Sequence, residues 1–165
     1  MKATLVVITA MMVAGTATFA AWAQEPPAGR PAAPGPVEFL GQEVGAEILR
    51  HGQELYAENC ASCHGANLEG QPDWKRRLPN GRMPAPPHDA SGHTWHHPDQ
   101  DLFLITREGV DAIVPGYESD MPAFRDILAD DEIRAVLAYI KNTWPERERQ
   151  FQTEVTRNDA EGDGS

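Results

Sequence analysis

The sequence predicts an all-α fold in which three main helices and long loops surround one apolar centre. Apolar residues recur at helical spacing in three segments, and no segment shows the alternation of apolar and polar residues that marks a half-buried strand. Residues 66–97 are rich in proline and glycine, which predicts a long loop. A loop of that length is unusual in a small domain, unless it wraps a large apolar group.

The chain begins with an apolar segment that predicts export. Residues 3–23 carry no charge and end in Ala21-Trp22-Ala23, which has the small-x-small form that signal peptidase cleaves. We therefore assign residues 1–23 to a signal peptide and expect a periplasmic protein. The alternative is an uncleaved membrane anchor, because the apolar run is nearly long enough to cross a bilayer.

Composition sets the boundaries of the domain. Residues 24–41 hold five of the 14 prolines, with alanine and glycine between them, and predict an extended linker. Residues 147–165 are mostly polar and end in acidic and small residues, which predicts a disordered tail. The domain itself is residues 42–146, a length that supports one small hydrophobic core.

The first predicted helix runs from about Gly45 to Asn59 and leads directly into Cys60. Its apolar face is defined at helical spacing by Ile48, Gly52, Leu55 and Tyr56. The second predicted helix runs from about Pro98 to Glu108. Proline suits the first helical position, and the glycine that follows Glu108 suits a C-terminal stop.

The third predicted helix has the clearest pattern. It begins at Asp130, the expected N-cap, and ends before Pro145, which cannot continue a helix. Its apolar stripe consists of Ile133, Val136, Leu137 and Ile140.

The formal net charge of the whole chain is −11, which argues against nucleic acid as a partner and favours proteins with basic docking surfaces.

The two cysteines lie in one window, Cys60-Ala61-Ser62-Cys63-His64. Zinc sites, thioredoxin-like redox sites and covalent haem attachment all use a Cys-x-x-Cys pair. The chain has no second cysteine pair and no strand pattern beside this one, and the long loop requires a large apolar group. We therefore favour haem attachment, in which both thiols form thioethers and His64 ligates the iron.

A haem iron that transfers electrons without binding substrate needs a second axial ligand. Met121 is our candidate, because it lies 57 residues after His64 (121 − 64) in a loop just before the last helix. Met83, 19 residues after His64 (83 − 64), is a rival. Either methionine could instead fill an apolar gap.

Three stretches together resemble class I c-type cytochromes, in particular small bacterial monohaem cytochromes c: GQELYAENCASCHG, SDMPAF and LADDEIRAVLAYIKNTWP. The resemblance covers about Gly45 to Trp144. It implies a cytochrome c fold around one covalently bound haem c. In that fold, the cofactor-binding residues would be Cys60 and Cys63 as thioether anchors, with His64 and Met121 as the axial ligands of the iron.

The resemblance also implies roles for residues around the haem. Pro87, or less readily Pro79 or Pro86, would supply the carbonyl that accepts the Nδ1 proton of His64. Trp95 would approach a haem propionate through its indole N–H. In addition, the first helix would meet the last one where Gly52 and Tyr56 approach Tyr139.

The function that these features imply is outer-sphere transfer of single electrons by a periplasmic carrier that is not itself an enzyme. Its donor would be a dehydrogenase or quinol-oxidising complex, and its acceptor a terminal oxidase or reductase. One alternative is a haem subunit of a larger redox enzyme. Another is a peroxidase-like or gas-binding protein, which would require Met121 to be off the iron.

Four histidines, His88, His93, His96 and His97, lie within ten residues of one another. Imidazole and thioether groups suit copper, so this density raises the alternative of a second metal site. Their spacing is irregular and no acidic partner lies in fixed register, so we expect no such site.

Overall fold

The computed structural model describes residues 36–162, so the predicted signal peptide and most of the predicted linker lie outside the described residues. Within this range the chain is mainly helical, as the sequence predicts. The elements, in chain order, are β1 (Val37–Phe39), β2 (Gln42–Val44), α1 (Ala46–Asn59), α2 (Ala61–His64), α3 (Asp99–Glu108), α4 (Asp130–Thr143) and α5 (Glu146–Gly162). Single 3-10 turns occur at Thr94–His96 and Val110–Ala112.

The crossing of α1 and α4 forms the centre of the core. All four residues of the predicted stripe on α4 are buried. A Cβ atom on Gly52 would lie only 2.0 Å from the backbone oxygen of Ala135, so glycine permits the two helices to approach closely. Beside this contact, the rings of Tyr56 and Tyr139 lie 5.7 Å apart. The predicted contact of the first helix with the third predicted helix, which is α4, is therefore present in the fold.

Two details of these helices differ from the prediction. Ile48 is 49% exposed, and the neighbouring Leu49 packs against the core instead. The N-cap of α4 is Ala129, not Asp130. The reason is that the Glu132 carboxylate accepts the Ala129 N–H at 2.8 Å, while Asp130 accepts a hydrogen bond from Arg107.

The hairpin of β1 and β2 was not expected from the sequence, which assigned residues 24–41 to an extended linker. Val37 and Phe39 are buried, and the strands pair antiparallel through Phe39 and Gln42. Both turn residues between them, Leu40 and Gly41, have positive φ, as in the tight turns typical of two-residue hairpins. Strands of three residues are too short to show an alternating pattern.

The expectation of a disordered tail over residues 147–165 was wrong for residues 147–162, which belong to α5; residues 163–165 lie outside the described residues. The helix is polar along most of its length, yet Gln152 is fully buried. Its Nε2 donates to Asp99 Oδ1 at 2.7 Å and to His97 O at 3.2 Å. These contacts come from residues more than 50 positions away in the sequence, so the local composition gave no indication of them.

Asp99 joins the outer segments to the core. It is 2% exposed, and its carboxylate accepts hydrogen bonds from the Lys141 ammonium at 3.1 Å, from the Leu40 N–H at 2.9 Å and from Gln152. A buried carboxylate requires such partners, since an unpaired buried charge is strongly destabilising. The hairpin, α3, α4 and α5 are thus held at one point.

Among the helices between residues 36 and 162, none combines the length and apolar character that a bilayer span requires.

Candidate functional site

The Cys-x-x-Cys-His window lies where α1 ends. Cys60 caps α1, with its N–H donating to Tyr56 O at 2.9 Å, and the single turn of α2 follows. The N–H groups of Cys63 and His64 both return to Cys60 O, at 3.1 and 3.0 Å. The two thiols and the imidazole stand at positions i, i+3 and i+4, which places them on one side of the same helical turn.

No disulfide joins Cys60 and Cys63. Cys60 is half-buried, and burial, with a smaller contribution from Cys63, raises the pKa of the Cys60 thiol to about 11. Cys63 is exposed. Two thiols in this arrangement, one half-buried and one exposed, suit covalent attachment of a group that lies against the protein on one side and reaches solvent on the other.

The backbone after His64 is fixed by a glycine and a tyrosine. Gly65 has a φ of 83°, and a Cβ atom at this position would lie 2.2 Å from Glu69 Oε2. The Tyr56 hydroxyl donates to Gly65 O at 2.8 Å, and burial raises the pKa of this phenol. The core helix α1 therefore holds both ends of the short turn that carries His64.

The His64 ring is oriented for metal ligation. The residue is 7% exposed, and its Nδ1 lies 2.9 Å from Pro86 O. A carbonyl can only accept, so the proton resides on Nδ1 and Nε2 is left with its lone pair for a metal. Burial lowers the pKa of His64, partly opposed by the Pro86 hydrogen bond, so the neutral form is favoured.

The carbonyl that accepts the His64 proton is therefore that of Pro86, and not that of Pro87, which the sequence analysis favoured. Pro87 O lies 3.4 Å from the Thr94 hydroxyl oxygen, so it points elsewhere. Successive carbonyls of an extended chain point in opposite directions, which explains why a shift of one residue exchanges the two roles.

The sequence did not assign His88 to the haem site. It placed His88 among the four histidines considered for an alternative copper site. Its ring stacks on that of His64, with centroids 3.9 Å apart and an angle of 19° between the planes. Burial and the neighbouring His64 hold the pKa of His88 well below its ordinary value. No spacing rule connects residues 64 and 88, so the sequence carried no signal for this contact.

The other three histidines of that group contact further aromatic rings. His93 stacks on Trp74 with centroids 5.3 Å apart, and His96 contacts Trp95 at 3.8 Å. His97 is 5.5 Å from His93, edge to face. Across residues 36–162 there is no group of three or more His, Cys, Asp or Glu side chains that could hold a metal ion.

Trp95 has a buried hydrogen-bond donor without an acceptor in the part of the chain that the structure describes. Its Nε1 is buried and has no hydrogen-bond partner among the described residues. An indole N–H can only donate, and buried donors are almost always paired. A carboxylate of a bound group would satisfy it, which is the relation to a haem propionate that the sequence analysis predicts.

Met121 lies in the loop before α4 and packs against the core while remaining partly exposed. Its N–H donates to Ser119 Oγ at 3.0 Å. The preceding Asp120 forms an ion pair with Arg82. Downstream, the N–H of Phe124 donates to Thr106 O at 3.0 Å, which ties the loop to α3. The assignment of Met121 to the iron stays a prediction.

The residues of this site fit an iron porphyrin attached through thioethers. Two thiols, an imidazole with an available Nε2 and a buried indole donor without a partner among the described residues have the right chemistry for it. A zinc site would need four ligands, and no such cluster occurs within residues 36–162.

Comparison with known proteins agrees with this chemistry. The family model for cytochrome c matches residues 49–144, more than half of the chain. The cytochrome bc1 complex cytochrome c subunits of Mycobacterium tuberculosis and Mycobacterium leprae are each 45% identical over 40 residues, which is 24% of this chain and 14% of each relative. Nitrite reductase of Stutzerimonas stutzeri is 29% identical over 107 residues, 61% of this chain and 17% of that protein.

The chain thus spans less than a fifth of the length of these curated relatives. No solved structure matches the chain.

Proposed function

The chain belongs to the cytochrome c family, which carries covalently bound haem c, and from this premise we propose that it is a periplasmic single-electron carrier with one haem. The observation that carries the proposal is the state of His64. Its ring is buried, its Nδ1 donates to Pro86 O, and it directly follows Cys63, the second cysteine of the Cys-x-x-Cys pair. This is the arrangement that a permanent iron ligand requires.

Each site residue has a separate task in this proposal. Cys60 and Cys63 would hold the porphyrin through thioether bonds, and His64 Nε2 and the Met121 sulfur would ligate its iron. When bound, haem c supplies an iron that alternates between the ferric and ferrous states. The protein keeps both ligands in place and excludes water, so that little reorganisation accompanies transfer and no substrate reaches the metal.

The surface supports exchange of electrons with other proteins. Cys63 is exposed, so the edge of the porphyrin that it anchors would be the route for electrons. A net charge of −11 favours fast encounter with partners that have basic surfaces. The relatives are named as parts of a bc1 complex and as a nitrite reductase, which supports a quinol-oxidising donor and a reductase acceptor.

A second candidate is a haem subunit of a larger redox enzyme. The similarity to a nitrite reductase and the large uncovered part of each relative favour it. Gel filtration of the native protein from its source separates the two proposals. A carrier elutes near the 18.1 kDa expected from the sequence, and somewhat below that value if the leader is removed, whereas a subunit co-elutes with a fixed partner.

The ligand assignment is tested by replacing the two candidate methionines. We expect Met121→Ala to abolish the weak long-wavelength absorption band that methionine sulfur gives to ferric haem, and to let carbon monoxide bind the ferrous protein rapidly. The reduction potential should fall, because a thioether ligand favours ferrous iron.

The matched control is Met83→Ala, which removes a partly exposed methionine from another loop. It should leave the band and the carbon monoxide response as in the unaltered protein. The reverse pattern would assign the iron to Met83. Absence of the band in the unaltered protein would exclude methionine ligation and favour a gas-binding or peroxidase-like protein.

A further inference from the structure

We propose that His88 is a positioning residue for the proximal iron ligand: its stacked imidazole fixes the rotational orientation of the His64 ring plane about the iron–nitrogen bond. The inference rests on the proposed function only in taking His64 as that ligand. It concerns a residue pair that the chain's own contacts bring together, 24 positions apart (88 − 64).

The contact between the two rings is close and nearly parallel, with centroids 3.9 Å apart and 19° between the planes. The hydrogen bond from His64 Nδ1 to Pro86 O holds one edge of the ring but still permits the plane to rock about that bond. A flat surface against one face removes this motion. Pro86 and His88 together therefore define both the direction and the plane of the ligand.

His88 can act in this way because it is itself held at three points. Its N–H donates to Leu68 O at 2.8 Å, and its carbonyl accepts the Trp144 indole N–H at 2.7 Å. Its ring Nδ1 lies 2.8 Å from the hydroxyl oxygen of the buried Thr94. The backbone is thereby tied to the loop and to the end of α4, and the ring cannot turn without losing the Thr94 contact.

The orientation of an axial imidazole plane has a spectroscopic consequence that fold stability does not have. Together with the second ligand, it sets how unpaired spin in ferric low-spin iron is distributed over the porphyrin. The spread and order of the four haem-methyl proton shifts report that distribution. A role limited to packing would alter the unfolding transition and leave this pattern in place.

The test compares His88→Leu with His88→Phe in the full-length holoprotein, by proton NMR of the ferric form. Leucine fills similar volume without a flat face, whereas phenylalanine keeps the planar stack and loses only the Thr94 contact. We expect His88→Leu to change the order or spread of the haem-methyl shifts, and His88→Phe to restore most of the original pattern. Urea unfolding of each variant gives the packing effect separately.

Two results would overturn the proposal: a methyl pattern that is unchanged in His88→Leu, or an equal change in both variants. If His88→Leu yields no holoprotein, Thr94→Val provides the test, because it frees the His88 ring without removing it. It should then shift the haem-methyl signals relative to those of the unaltered protein, and an unaltered pattern would contradict the inference.

Failure of the proposed function would look different. Should the unaltered protein lack the spectrum of histidine-ligated haem in either the low-spin or the high-spin form, His64 is not an iron ligand, whatever the His88 variants do. A normal spectrum in the unaltered protein, together with a methyl pattern indifferent to residue 88, would reject the positioning role alone.

Discussion

The two sides of the proposed haem site are held in different ways. On the proximal side, His64 lies in the helical turn that directly follows the core helix α1. Its ring is hydrogen-bonded to Pro86 O, and the His88 ring stacks on one of its faces. On the distal side, Met121 lies in a loop, and the contacts just before it are an exposed ion pair of Asp120 with Arg82 and a hydrogen bond to Ser119.

The difference indicates which ligand can exchange. Buried contacts that share a helix and a core resist local opening, whereas exposed ion pairs and short loop bonds contribute little. Downstream of Met121 the loop is secured to α3 through Phe124, so the weak part is the segment before the methionine. We expect competing ligands to enter from the distal side, with the proximal bond intact.

The largest effect is expected from changing the proximal scaffold. In Gly52→Ala, the added Cβ would overlap the backbone oxygen of Ala135, which lies 2.0 Å from that position, so α1 must move away from α4. Such overpacking costs about 1–3 kcal/mol in the free energy of unfolding. Urea unfolding of the ferric holoprotein measures this loss.

Gln53→Ala is the matched control, since it adds alanine at the next position of α1 on its exposed side. Its unfolding free energy should stay within about 0.5 kcal/mol of the unaltered protein. Equal stability of the Gly52→Ala and Gln53→Ala variants would mean that the helix crossing is not as tight as the structure has it.

The proximal scaffold is also the part that could be predicted best from the sequence. Helical periodicity and a proline stop are local signals, and they placed α1 and the end of α4 within one residue of the observed bounds. The window from Cys60 to His64 needed no tertiary information either. The choice between Pro86 and Pro87 did need it, because both carbonyls lie at nearly the same distance along the chain.

The outer elements could not be predicted, for a physical reason. Helix α5 has few apolar residues, and what holds it is the hydrogen bonding of Gln152 to Asp99 and the packing of Phe151 on Trp95, 5.3 Å between ring centroids. The stack of His88 on His64 likewise exists only after the long loop has folded back. Contacts between residues that are distant along the chain produce no periodic pattern in the sequence.

A smaller effect is expected from breaking the exposed contact on the distal side. Arg82→Gln removes the ion pair with Asp120 and should allow the Met121 segment to open more often. We expect imidazole to bind the ferric protein about two- to fivefold more tightly, the range that surface ion pairs allow. Absorption titrations should show the affinities of the variant and the unaltered protein converging at high salt, because salt already screens the ion pair there.

Arg134→Gln removes the same charge from another exposed ion pair, with Asp131 on α4, and serves as the control. It should leave imidazole affinity unchanged. The double variant Arg82→Gln, Asp120→Asn should bind imidazole no more tightly than Arg82→Gln alone, since the two side chains act through one contact. Additive effects, or an equal effect of Arg134→Gln, would attribute the change to net charge.

The smallest effect is expected at Ser119, whose hydroxyl accepts the Met121 N–H at 3.0 Å. Ser119→Ala should tighten imidazole binding by about twofold at most, because a partly exposed hydrogen bond is replaced by one to water. Ser119→Thr keeps the hydroxyl and should behave as the unaltered protein. If Ser119→Ala exceeded Arg82→Gln in effect, the local turn, and not the ion pair, would be what keeps the distal segment closed. The comparison of the two sides would still hold, with its weak point moved next to the methionine itself.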